Sequence, residues 1–401
     1  MLALAPLAMS IPRKDPMFSI IGLPVLLTSS VLFALVLVVA LVVVPRRRAA
    51  GARAYVEQAV VVLLVILLAL STVFLYLNRE NNWYGTWGDL LANNDIGHIS
   101  STTYGAALAP NPAPTQQTNA QLTDLQRAPR TNPALGDVSA DDADGQWLSV
   151  TMAATSASTT QLSVHALIWL PPGYVEDSTR SYPVVVGFPG IPGSVSTYRD
   201  TFHIDRMVLD NVREGRMQAP IMVFPSVFPR NADTECVDGK DGTWETWITT
   251  DMRAWITTNL RAVNEPAAWA TTGYSAGGWC ASMIAMRHPD QYSWGISLAG
   301  YFHAEYAPGQ IQDDPEDARY RLDQVAEHER PAVALWAFAG GDDQPAINDV
   351  KDIEKSIGAP TTLVANISER GGHRPRMWMT PQRTAFSWLG QVSPWFAPMG
   401  A

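Results

Sequence analysis

The chain has 401 residues, is 47% hydrophobic and carries a formal net charge of −10, which is enough for one large core without disulfides or metals. The first 80 residues hold seven Lys/Arg against three Asp/Glu, a balance of +4 that leaves −14 for the remainder. A body that acidic repels phosphate backbones, so nucleic acid is excluded as a partner.

Two apolar runs open the chain. The first covers Met17 to Val44 and ends VLFALVLVVALVVV before Pro45; the second, Ala59 to Leu77, reads AVVVLLVILLALSTVFLYL. Neither contains a charge, and each is long enough to cross a hydrocarbon core of about 30 Å. A backbone in lipid must satisfy its own hydrogen bonds, so both are expected as helices, with residues 1–80 forming a two-pass anchor in the cell membrane and the bilayer as its partner. A cleaved secretory signal is the rival for the first run; its length and the basic segment after it argue against removal. Arg46, Arg47, Arg48 and Arg53 crowd the connection, whereas the N-terminal tail offers Arg13 and Lys14. The denser cluster is predicted to stay in the cytoplasm, which sends everything after Arg79 outside.

Residues 81–145 read as a linker or irregular arm. ALAPNPAPTQQTNAQ is rich in Pro, Ala, Asn and Gln, SADDADG clusters acids, and no apolar periodicity supports a packed element.

Residues 146–393 alternate between short apolar runs and helical stretches, with 394–401 as a tail. Strands are expected at Leu162–Leu170, Val184–Phe188, Ile221–Phe224, Trp269–Gly273, Gly295–Leu298, Val333–Phe338 and Thr361–Ile367. Helices are expected at Trp244–Leu260, Gly277–Arg287, Asn348–Ile357 and Pro381–Leu389. Uniformly apolar strands separated by helices predict an α/β fold, a mostly parallel sheet covered on both faces, with chemistry at the carboxyl ends of its strands. The fourteen Trp residues suit core packing or flat platforms for sugar rings and acyl chains.

The strongest local signal is Gly273-Tyr274-Ser275-Ala276-Gly277, between the apolar AAWATTGY and the helix-compatible GGWCASMIAMRH. A strand–turn–helix setting is what a nucleophile elbow needs, with small residues where the sharp turn leaves no room. The bland alternative is a Gly-rich turn with a capping Ser. A serine hydroxyl needs a base, and the chain offers His98, His165, His203, His288, His303, His328 and His373. His373, in ERGGHRPRMW after the last strand, is the expected base, with His303 as its rival. The strand AVALWAF runs into Asp342 and Asp343, so the chain order is Ser, Asp, His. Asp343 is favoured as the acid that orients the imidazole, with Asp342 as the alternate.

The oxyanion of acyl transfer needs donors. The backbone N–H of Ala276 is one, and Ile191 in the loop Pro189–Gly193 is the other, since Pro192 has no N–H. Gly190, Tyr274, Glu235, Tyr301 and Phe302 are candidates for shaping a substrate pocket. An outward-facing domain permits a disulfide, and Cys236 and Cys280 are expected on the same rim, either bridged or as two separate thiols. Scattered His and two distant Cys lack metal-ligand spacing, so neither metal nor cofactor is expected.

These residues together resemble a known family. Leu170-Pro171-Pro172-Gly173-Tyr174, then Tyr182-Pro183-Val184-Val185-Val186, Trp244-Glu245-Thr246-Trp247 before a helix, the GYSAGGW elbow and a GGH ahead of a Trp-containing helix look like the esterase D-like family of α/β-hydrolases, to which the mycobacterial secreted mycolyltransferases belong. The similarity covers roughly residues 150–390. It implies an extracytoplasmic α/β-hydrolase that cleaves or transfers acyl esters through Ser275, His373 and a carboxylate; membrane tethering in turn favours envelope lipids or glycans as the substrates. Two features depart from the family: Pro189-Gly190 replaces the usual Asp-Gly or His-Gly of the oxyanion loop, and two spans replace a cleaved signal. A serine peptidase of the prolyl-oligopeptidase type is a weaker reading, because residues 81–145 are too short for a propeller. A catalytically inactive envelope-binding protein is weaker too, because nucleophile, acid and base are all present in order.

Overall fold

A computed structural model of the chain describes residues 19–46, 51–81, 83–84, 86–91, 95–110, 112–115, 122–155, 163–240, 242–306, 314 and 317–399. It divides into two compact units, 1–94 with 371–373, and 95–370 with 374–401.

The first unit contains two long apolar helices. One spans Leu23–Arg46, α-helical over Leu23–Val38 and passing through a π turn at Val39–Val43, next to Pro45, which withholds a backbone N–H. The other spans Ala52–Asn81. Gly22 and Pro24 set the start of the first helix later than the apolar run begins, and Met17, like Arg47 and Arg48, lies outside the described residues. Ser29 and Thr72 hydrogen-bond across the pair at 2.8 Å. Both helices are long and apolar enough to cross a membrane. Their side chains point outward unburied, Leu35 at 58% and Leu70 at 64% exposure, a surface that water would penalise and lipid would not.

The second unit is built on a nine-stranded sheet in the order β1-β11-β10-β9-β8-β4-β5-β3-β2. Its strands are β1 (Ile99–Gly105), β2 (Gln146–Ala153), β3 (Ser163–Leu170), β4 (Val184–Phe188), β5 (Ile221–Pro225), β8 (Trp269–Tyr274), β9 (Trp294–Leu298), β10 (Ala334–Ala339) and β11 (Thr362–Ser368), while β6 (Asp238–Gly239) and β7 (Gly242–Thr243) form a small separate ribbon. The pairings among β5, β4, β8, β9, β10 and β11 are parallel. Every residue of β4, β5, β8, β9 and β10 is buried, the signature of a sheet covered on both faces. Trp169, Trp244, Trp247, Trp269, Trp279 and Trp336 are fully buried, so tryptophan serves mainly as core filling.

Two strands of the main sheet, like the short β6 and β7, were not expected. The segment read as an irregular arm contributes β1, whose seven residues pair antiparallel with β11 from Ile99↔Ser368 to Gly105↔Thr362. Its sequence, ISSTTYG, is mostly exposed, so it carries no apolar period to read. Farther along, Leu122, Leu135 and Val138 are buried. At the opposite edge, β2 pairs with β3 over eight residues. Helices also start earlier than expected: Gln344–Ile353 and Pro375–Val392 both carry a proline in the first turn, where its missing N–H costs nothing.

One buried ion-pair network fastens the helix that follows β8. The Glu245 carboxylate accepts from Arg287 Nε and meets His288 Nε2, both at 2.7 Å, and accepts from Tyr320 Oη at 2.7 Å. Burial alone would raise its pKa, but the hydrogen bonds from His288, Arg287 and Tyr320 outweigh burial and hold it down at about 2. A depressed acid contributes stability that is complete above its unfolded pKa near 4.5 and lost as pH falls towards 2. Glu245→Gln is therefore expected to cost about 3 kcal/mol at neutral pH and to flatten the acid limb of stability between those pH values, as read by denaturant unfolding across a pH series.

Candidate active site

The strand β8 ends at Tyr274, and the helix Ala276–Arg287 begins two residues later. Ser275 between them has φ 55° and ψ −129°, a region that costs a non-glycine residue energy and persists only when the surroundings enforce it. The enforcement is steric. A Cβ at Gly273 would stand 1.8 Å from the Gly277 carbonyl oxygen, and one at Gly277 would stand 2.1 Å from that of Phe188. The Ser275 N–H donates to Leu298 O at 2.9 Å, and Ser275 O accepts from Gly278 N at 2.7 Å, so the turn is held from both sides.

The loop after β4 lies against this turn. A Cβ at Gly190 would come within 3.1 Å of the Ser275 Cβ and 2.9 Å of the Tyr274 ring. Pro189 and Gly190 are buried, Ile191 is partly exposed, and Ala276 is the first residue of the elbow helix. An N-terminal helical N–H has no intrahelical acceptor, which suits the position for meeting negative charge.

Register brings the neighbouring strand ends level. Tyr274 stands opposite Leu298, Leu298 opposite Phe338, and Phe338 opposite Asn366. Segments leaving β8, β9, β10 and β11 therefore emerge along one edge at strand spacings of about 4.8 Å. Asp343 follows β10, is 1% exposed and immediately precedes the helix Gln344–Ile353, whereas Asp342 is partly exposed. His373 lies in the connection from β11 to the C-terminal helix, within the 371–373 segment grouped with the first unit. Four other histidines have polar partners: His165 with Ser149, His288 with Glu245, His303 with Glu305, and His328 with the Gln324 carbonyl.

Of the residues expected to line a pocket, Gly190, Glu235, Tyr274 and Phe302 are buried and Tyr301 is partly exposed. Glu235 is fully buried, and Tyr274 and Phe302 are each 4% exposed. Tyr274 stacks on Trp378 at 5.2 Å. The Glu235 carboxylate accepts from Tyr301 Oη at 2.6 Å and from the Glu305 N–H at 3.0 Å, while its carbonyl accepts from Trp279 Nε1 at 2.8 Å. Burial, reinforced by Asp233, pushes this carboxyl well above its ordinary range, and burial beside Glu235 does the same to the Tyr301 phenol. Trp279 and Tyr301 stack at 6.0 Å. Next along the chain, Cys236 bonds to Cys280 with Cα atoms 5.7 Å apart, so the two cysteines are bridged and not separate.

Sequence spacing gave no sign of a further cluster. His303, Glu305 and Asp349 bring one ligand atom each within 4.8 Å of one another. Burial and the nearby Glu305, Asp343 and Asp352 push the Asp349 carboxyl up to about 7.

A mostly parallel sheet with a serine on a strained strand-to-helix turn at its carboxyl edge defines an α/β-hydrolase. The family model described as Putative esterase matches residues 156–392, and the chain belongs to that family. The chain is similar to an uncharacterised protein of Corynebacterium glutamicum, with 21% identity over 242 residues. That match takes in 56% of this chain and 57% of the relative, so the chain spans little more than half the relative's length. In structure it is similar to a ferulic acid esterase, with a TM-score of 0.50 and 17% identity over 62% of this chain and 98% of the other. Against MPT51 (FbpC1) of Mycobacterium tuberculosis the TM-score is 0.44 with 13% identity, over 60% of this chain and 97% of that one.

The cysteines are 44 residues apart, and closing a loop of that size corresponds to about 4 kcal/mol of unfolded-state entropy. The double variant Cys236→Ser with Cys280→Ser is expected to lose stability of that order. Intact mass should rise by two hydrogens on reduction of the unfolded protein; alkylation of both thiols without reductant would contradict the bond.

Proposed function

We propose that the protein is a membrane-anchored, extracytoplasmic serine esterase or acyltransferase acting on acyl esters of envelope lipids or glycans. The observation that carries this reading is the left-handed backbone of Ser275 at the level carboxyl ends of a parallel sheet. In the proposed cycle His373 takes the hydroxyl proton as the Ser275 oxygen attacks the acyl carbonyl, and Asp343 fixes the imidazole tautomer and stabilises its charged form. The N–H groups of Ala276 and Ile191 receive the developing oxyanion. The alcohol departs with the proton carried by His373 and leaves an acyl-Ser275. Water or a sugar hydroxyl then gives its proton to His373 as it attacks the acyl carbon, and His373 returns that proton to the departing Ser275 oxygen, releasing the product and the free hydroxyl.

Each assignment has its own support. Ser275, Asp343 and His373 follow β8, β10 and β11 in the chain order of this fold. Asp343 is favoured over Asp342 because a carboxylate 1% exposed acts through a lower dielectric than a solvated one. The outward orientation is supported by the Cys236–Cys280 bond, since disulfides persist in oxidising compartments. It is also supported by Arg46 at the end of the first apolar helix and Arg53 at the start of the second, either side of their connection. Tethering raises the effective concentration of lipid-linked esters at the site, which favours envelope substrates.

A fluorophosphonate probe should label wild type and fail to label Ser275→Ala; equal labelling of both removes the nucleophile assignment. Asp343→Asn should lower kcat on a short-chain ester by about 10³- to 10⁴-fold, while Asp342→Asn stays within about tenfold of wild type. The reverse pattern would move the acid to Asp342. Timed product analysis with an acyl donor, with and without a sugar acceptor, separates hydrolysis from transfer.

A further inference from the structure

We infer that His303, Glu305 and Asp349 form a binding site for a first-row divalent cation, zinc being the best fit. The His303 Nε2 and Glu305 Oε1 atoms stand 3.2 Å apart, and an Asp349 carboxylate oxygen completes a set within 4.8 Å. Ligand atoms around a zinc ion, each about 2.0–2.2 Å from the metal, fall within such spacings after small side-chain adjustments. One imidazole nitrogen with two carboxylates selects against calcium and magnesium, which favour all-oxygen shells, and towards borderline ions such as zinc.

The three ligands sit on supports that are already fixed. The Glu305 N–H is bonded to the buried Glu235 carboxylate, which Tyr301 holds from its other oxygen. His303 bridges in backbone pairing to Arg321, and Asp349 lies within the helix Gln344–Ile353. Rigid supports of this kind are what a preorganised metal site requires. The charge is also uncompensated. Among the described residues Glu305 pairs only with His303, and Asp349 makes neither an ion pair nor a hydrogen bond, although it is partly buried. Carboxylate oxygens within 4.8 Å of one another repel, and a dication relieves that repulsion while joining the segment after β9 to the helix Gln344–Ile353. The proposal does not depend on the triad assignment.

The test uses the full-length chain in detergent, stripped with a chelator and equilibrated with zinc, calcium or magnesium alone. Metal content by mass spectrometry is expected to reach one zinc per chain. His303→Ala and Asp349→Asn are each expected to weaken zinc binding at least tenfold, with Ser275→Ala unaffected. Zinc should raise the unfolding temperature of wild type and leave that of Asp349→Asn unchanged, the two metal-free proteins having the same circular dichroism spectrum. Absence of stoichiometric zinc, zinc retained equally by both ligand variants, or tighter binding of calcium than of zinc would each overturn the site as assigned.

Discussion

The structure depends on a steric constraint at one turn. The chain passes from β8 into its helix so sharply that Gly273 and Gly277 have no space for a Cβ, each being blocked by a backbone carbonyl. Ser275 takes up a conformation that a free chain would rarely visit, and the energy for holding it comes from the packed parallel strands on either side. That packing is dense: β4 and β9, the two neighbours of β8, are buried at every position. In the proposed role as nucleophile, a serine presented in this way would be fixed before any substrate arrives, the condition under which positioning contributes most to catalysis.

The segment from Glu235 to Glu245 holds the elbow helix at both ends. Near the start of the helix, the Glu235 carbonyl takes the Trp279 N–H and Cys236 is bonded to Cys280. At its end, the Glu245 carboxylate gathers Arg287 and His288. The two glutamates differ in electrostatics. Glu235 has a phenol and an amide for partners and an acid nearby, so burial dominates and its carboxyl is pushed well above its ordinary range. Glu245 has a guanidinium and an imidazole, so its charged form is favoured despite burial. Which partner faces each buried acid decides its state.

Much of this was legible in the residues themselves. The GYSAGG pattern between an apolar strand and a helix carries its own geometry, because only glycine fits the flanking positions. Seven of the sheet's strands were visible as apolar runs, and the cysteines as a pair on one rim. What escaped had no local signal. β1 is a row of Ser and Thr recruited by pairing with β11, and an edge strand needs no apolar face to be held by hydrogen bonds. Glu235, Tyr274 and Phe302 are buried by tertiary packing, which chain position does not show. His303, Glu305 and Asp349 meet only because the β9 and β10 ends are adjacent, a juxtaposition that residue spacing cannot encode.

The pairing of β1 with β11 also orders events during synthesis. β1 is the first of the sheet's strands to leave the ribosome, yet among the described residues its one neighbour in the sheet is the last of the strands to be made. The nascent chain must therefore carry an unpaired polar strand until almost the whole body has been translated. Its Ser- and Thr-rich composition keeps that waiting segment soluble, where a Val- or Ile-rich one would seek partners on other chains.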